Sequence, residues 1–87
     1  MASNLYTRIR DKILMTEFEI DKKYLGKFIL LDMKDVPPAH DGGYVVAYGE
    51  NTNEVWEALF DLGQQEYKGN CMIQIGVEER GLLFYGL

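Results

Sequence analysis

Tyr44-Val45-Val46-Ala47-Tyr48-Gly49, running on into Glu50-Asn51-Thr52-Asn53-Glu54-Val55-Trp56-Glu57-Ala58-Leu59-Phe60-Asp61-Leu62-Gly63, is the stretch on which the fold turns. Its first part alternates as a strand does, with Tyr44, Val46 and Tyr48 on one face and Val45 and Ala47 on the other. Its second part changes period. Asn51, with Glu54 three residues on, has the spacing of a capping box and predicts a helix start. At 100° per residue, Val55, Trp56, Leu59, Phe60 and Leu62 span an arc of about 160°. Glu50, Glu54, Glu57 and Asp61 project within about 60° on the opposite side. The apolar arc is expected to pack on a sheet, the acidic stripe to face outward, and Gly63 to stop the helix.

Working outward, Cys71 to Val77 reads as a strand with Ile73, Ile75 and Val77 on one face. Glu78 to Gly81 reads as a charged turn and Leu82 to Tyr85 as a last strand. Upstream, Lys27 to Asp32 is a strand whose core, Phe28 to Leu31, is apolar on both sides. Asp21 to Leu25 predicts one helical turn closed by Gly26. Between the two upstream strands lies an eleven-residue loop, Met33 to Gly43, stiffened by Pro37 and Pro38. Asn4 to Met15 predicts a helix capped by Ser3 or Asn4, with Leu5, Ile9 and Ile13 as a thin apolar stripe. Residues 1–14 are then a helical arm on a core of residues 18–87, and Met15 reads as an internal start.

The expected architecture is one α+β domain, residues 1–87, in the order α-β-β-α-β-β. It has a small mixed four-stranded sheet, one amphipathic helix on one face, and the N-terminal helix besides. The strands flanking the Asn51 helix are expected to be parallel, with a right-handed crossover. The other sheet face needs the arm or a second subunit over it, and tyrosines 6, 24, 44, 48, 67 and 85 suit a half-buried surface of that kind.

Tyr24-Leu25-Gly26-Lys27-Phe28-Ile29, then Tyr44 to Gly49, then Asn53-Glu54-Val55 resemble a small prokaryotic family known only as a domain of unknown function. Its pattern is Tyr-x-Gly-Lys-aromatic, a strand ending in Ala-x-Gly, a helix opened by Glu-Val, and a last apolar strand. The likeness covers residues 18–77. The Pro37-Pro38 loop, the arm and the strand at Leu82 depart from it. The resemblance implies the fold and no activity.

Composition narrows the chemistry. Of 87 residues, 47% are hydrophobic and 26% charged, which is globular. The single Cys71 and single His40 cannot close a structural zinc site or a disulfide, and a lone thiol suits a reducing cytoplasm. Ser3 is the only serine, and neither a P-loop nor a dinucleotide fingerprint is present. No run of apolar residues reaches signal or membrane-spanning length. Net charge is −5, which disfavours nucleic acid as a partner. It divides unevenly: residues 1–34 hold seven basic and five acidic side chains, residues 35–87 two and nine.

Function is therefore expected to be protein–protein contact without catalysis or cofactor, most simply as a homodimer, with a basic protein as a further partner. The candidate contact residues are Glu50, Glu54, Glu57 and Asp61 on the helix and Leu5, Ile9 and Ile13 on the arm. One alternative is a phage-type inhibitor whose acidic helix imitates a phosphate backbone. The other is a weak hydrolase or metal-dependent activity in the Asp35 to Gly43 loop. Cys71, His40 and Asp41 would be its nucleophile set, and Asp32, Asp35, Asp41 and Glu50 with His40 its oxygen-rich cation site.

Overall fold

The computed structural model describes residues 5–78, which build one four-stranded sheet with a helix against each face. The elements run β1 (Thr7–Met15), α1 (Glu17–Lys23), β2 (Phe28–Asp32), β3 (Gly43–Gly49), α2 (Thr52–Ala58), a π-helical segment (Leu59–Glu66) and β4 (Cys71–Ile75). In space the strands lie in the order β1-β3-β2-β4, and every pairing is antiparallel. The α+β class stands. The mixed sheet and the α-β-β-α-β-β order are corrected to an antiparallel sheet and β-α-β-β-α-β. Both β3 and β4 run against β2, so they point the same way with β2 between them. The strand expected at Leu82 to Tyr85 lies outside the described residues.

The N-terminal helix is replaced by a strand, and the reason is arithmetic. Leu5, Ile9 and Ile13 recur every four residues, a spacing that fits one helix face and equally one strand face. Alternation of Ile9, Asp11 and Ile13 with Arg8, Arg10 and Lys12, plus β-branched Thr7, Ile9 and Ile13, favours the strand once β3 offers a partner. The pairing is not continuous. Arg8 faces Ala47 and Ile13 faces Val45, so β1 advances five residues where β3 advances two. Three residues of β1 are surplus to the ladder.

The β2–β3 ladder also slips, because Leu30 faces Ala47 and Leu31 faces Val45, leaving Val46 as an extra residue on β3. A bulge shifts the alternation, so Val46 and Ala47 both enter the core beneath α2, together with Leu30, Val55, Ala58, Leu62 and Tyr6. The expected common face of Tyr44, Val46 and Tyr48 is broken there, and Tyr48 packs on the opposite side.

That opposite side is covered by α1. Thr16 Oγ1 accepts from the Glu19 amide at 3.1 Å while Glu19 Oε1 accepts from the Thr16 amide at 2.9 Å, a full capping box that starts the helix ahead of the single turn expected from Asp21. The helix then places Ile20, fully buried, and Tyr24 against Met15, Ile29, Leu31 and Val45. Burying a side chain such as Ile20 is worth about 1.5–3 kcal/mol. Its buried Asp21 accepts from Gln74 Nε2 and from the Val77 amide, both at 3.2 Å, and ties α1 to β4. The second sheet face thus has a cover from its own chain, supplied by α1 and not by a residue 1–14 arm.

The loop between β2 and β3 closes back onto the β1–α1 junction. Gly42 has φ +80° and sits so tightly on the Met15 carbonyl that no Cβ fits. His40 Nε2 lies 3.3 Å from that same carbonyl oxygen, and Asp41 Oδ1 accepts from the Glu17 amide at 3.0 Å, serving the first turn of α1.

Candidate functional site

One of the two helical covers of the sheet is built from α2 and its π continuation. Asn51 Oδ1 accepts from the Glu54 amide at 3.0 Å, so the predicted cap is in place. Glu54 Oε1 reaches back to the amide of Glu50, one residue before the cap, at 2.8 Å. The buried positions are Val55, Ala58 and Leu62, with Leu59 half-buried.

Trp56 and Phe60 are not in the core. They are 60% and 72% exposed, against the expectation that they line the packed arc. Ala58 explains the rotation. Fully buried and small, it lets the helix approach the sheet along the line of Val55, Ala58 and Leu59, which span about 100°. The two large rings then have no room beneath the helix and turn outward.

Gly63 is not a stop. It is buried inside the π segment, where an added Cβ would lie 2.8 Å from Leu59 Cδ1 and 3.4 Å from Cys71 Cβ. The wider winding ends with the Tyr67 amide donating to the Leu62 carbonyl, five residues back, at 2.8 Å.

Trp56 and Phe60 stand about one turn apart and border a shallow groove of about 700 Å³ that runs from Asn53 to Gln64, with Glu57 and Asp61 at its rim. The four helix carboxylates are not equivalent. Glu50 pairs with Lys27 Nζ at 2.6 Å, Glu54 serves the cap, and Asp61 accepts from the Tyr6 hydroxyl at 3.2 Å. Burial first, and then the Asp61 charge, hold that hydroxyl's pKa above its ordinary value. The Glu57 carboxylate makes no hydrogen bond or ion pair among the described residues.

The arm residues do not form one stripe. Leu5 and Ile13 are half exposed, at 50% and 51%, while Ile9 packs beneath α1. The loop residues His40 and Asp41 are engaged at the β1–α1 junction, and the described residues contain no group of three potential metal ligands.

A polar row that the sequence did not suggest crosses the sheet beneath the end of the π segment. Leu14, Tyr44, Asp32 and Cys71 are successive partners across β1, β3, β2 and β4, which puts their side chains on one face. Asp32 is buried, 2% exposed. Its Oδ2 accepts from Lys12 Nζ at 2.8 Å and its Oδ1 from the Lys34 amide at 3.1 Å. The Lys12 ammonium lies 4.8 Å from the Tyr44 ring centre and 5.7 Å from that of Tyr67. Its hydrogen bond to Asp32 raises its pKa above the usual lysine range. Cys71, at the end of the row, is pushed up to about 11, by burial first and then by the Asp32 charge. That thiol is protonated at neutral pH and is a poor nucleophile. Asp32 was legible only as a loop-edge carboxylate, because the pairing that buries it joins residues far apart in the chain.

No described helix is long and apolar enough to cross a membrane. In comparisons with known proteins, the chain matches no family model, no curated protein and no solved structure.

Proposed function

We propose that this protein acts by protein–protein contact, without catalysis, through the outer face of α2 and the π segment. The observation that carries the reading is the outward display of Trp56 and Phe60 beside Glu57 and Asp61. Exposed aromatic anchors are the residues in which interfaces concentrate their binding energy. Acidic residues at the rim select a basic partner and speed its encounter. The partner is accordingly a segment bearing apolar and Lys or Arg side chains, met in a reducing cytoplasm that suits the single thiol.

A homodimer is the second reading, favoured by the same exposed pair. It no longer draws on an uncovered sheet face, which α1 occupies. The inhibitor reading has less support. Three of its four carboxylates are engaged within the chain, whereas imitation of duplex DNA needs a dense free array. The loop hydrolase has less support still, since His40 and Asp41 serve the β1–α1 junction. The likeness to the small prokaryotic family is retained as a proposal about fold alone.

The test uses immobilised full chain and its Trp56→Ala/Phe60→Ala variant in extract of the native host, at low and moderate salt. A basic protein retained by the wild type and lost by the variant is the expected result. Identical retention by both would remove this face as the interface. Light scattering separates the second reading, because a homodimer has twice the 10.0 kDa chain mass and the variant would return it to monomer.

A further inference from the structure

The row at Asp32 has the construction of a cation receptor. A carboxylate almost withdrawn from water, its side chain 3% exposed, lies at the centre. Two tyrosine rings present their faces to the same point in space, and an ammonium group fills it. A buried carboxylate with aromatic faces is what selects an ammonium ion in water, since the ring quadrupoles and the fixed charge replace its hydration.

The occupant differs from its site. Lys12 keeps 39% of its side chain exposed, whereas the Asp32 side chain is 3% exposed. It comes from the segment of β1 between Arg8 and Ile13, where three residues are surplus to the β3 ladder. The cage walls, in contrast, come from paired positions of β2 and β3 and from Tyr67 behind the π segment. The receptor is therefore fixed by regular pairing, and its ligand is delivered by an irregular segment of edge strand.

We infer that the cage formed by Asp32, Tyr44 and Tyr67 is a binding site for a primary alkylammonium group, such as the side chain of a lysine, which Lys12 fills until an external ammonium displaces it. The ligand must carry an N–H, as the primary Lys12 head does, because that head donates a hydrogen bond to Asp32 Oδ2, which a quaternary ammonium cannot do. Lys12 competes as a tethered ligand. If it holds the cage more than nine-tenths of the time, the affinity for an external ammonium falls at least about tenfold. The inference does not depend on the Trp56 and Phe60 face.

The experiment is a titration with n-butylammonium chloride, followed by NMR of the Tyr44 and Tyr67 ring signals, with sodium chloride and tetramethylammonium chloride as controls at equal ionic strength. In the wild type, n-butylammonium should move both ring signals, and the controls should not. Lys12→Ala should bind n-butylammonium at least about tenfold more tightly than the wild type. Lys12→Ala/Asp32→Asn should lose that binding. If Lys12→Ala is unfolded in sodium chloride, n-butylammonium should refold it and tetramethylammonium should not. Wild-type rings that stay still while those of Lys12→Ala respond would make Lys12 a permanent structural partner and overturn the proposal. So would binding that survives Asp32→Asn, an unfolded Lys12→Ala that n-butylammonium fails to refold, or equal response to tetramethylammonium.

Discussion

Cys71 is governed by its neighbours in the row. The fold favours its neutral form, with a pKa near 11 against an ordinary 9.0. The sign follows directly. The folded state holds the thiol proton more tightly, so this contribution to stability is full below pH 9 and is lost as the pH climbs toward 11. Reactivity follows the same shift. At pH 8 the native thiolate fraction is about a hundredfold below that of the unfolded chain. The higher nucleophilicity of a more basic thiolate offsets part of this, so iodoacetamide should label native Cys71 at least about tenfold more slowly than the urea-unfolded protein. Equal rates would mean that the thiol does not lie between Asp32 and the π segment. A nucleophilic role for Cys71 with His40 and Asp41 was a fair reading of residue types, but residue types carry no information about local field. Burial and the Asp32 charge, which set that field, come from the β2–β4 pairing.

At the scale of elements, α2 offers the sharpest contrast. Leu62, 5% exposed, should cost about 2–4 kcal/mol when cut to alanine, as core truncations do. Trp56→Ala, although it removes a far larger side chain, should cost less than about 1 kcal/mol, because most of that ring is already in water. Urea denaturation of both variants checks the order, and a larger loss at Trp56 would restore the register in which it is core. The start of this helix was legible because Asn51 and Glu54 act through local hydrogen bonds. Its rotation was not, because an arc drawn by hydropathy passes over alanine, and the closest approach to the sheet is decided by size. The same limit applied to β1. A four-residue spacing of Leu5, Ile9 and Ile13 cannot separate helix from strand, and only the antiparallel partner β3 decides it. The capping box of Thr16 and Glu19 was present in the sequence as a local signal and marks α1 correctly when read.

For the whole molecule, part of the uneven charge of the chain is met within the chain itself. Arg8 pairs with Glu66 and Lys27 with Glu50, each joining the basic first part to the acidic second. Both pairs are exposed enough to be screened, so Lys27→Met should lower stability only slightly, and 1 M sodium chloride should shrink that difference further. Thermal or urea unfolding of wild type and variant at low and high salt measures it, and a larger, salt-insensitive loss would point to a buried role for Lys27. The α+β class was legible because hydrophobic periodicity reports which faces are buried, while strand order, set by pairings between distant residues, was not. One consequence concerns copies of this protein meeting at high concentration. An edge strand exposes unused amide and carbonyl groups that can template another chain into a growing fibre. Among the described strands β1 and β4 are such edges, and in β1 three surplus residues break the straight repeat that templating needs, while Arg8, Arg10, Asp11 and Lys12 make it a charged edge. The irregularity that carries Lys12 to Asp32 also works against extension of the sheet at its β1 edge.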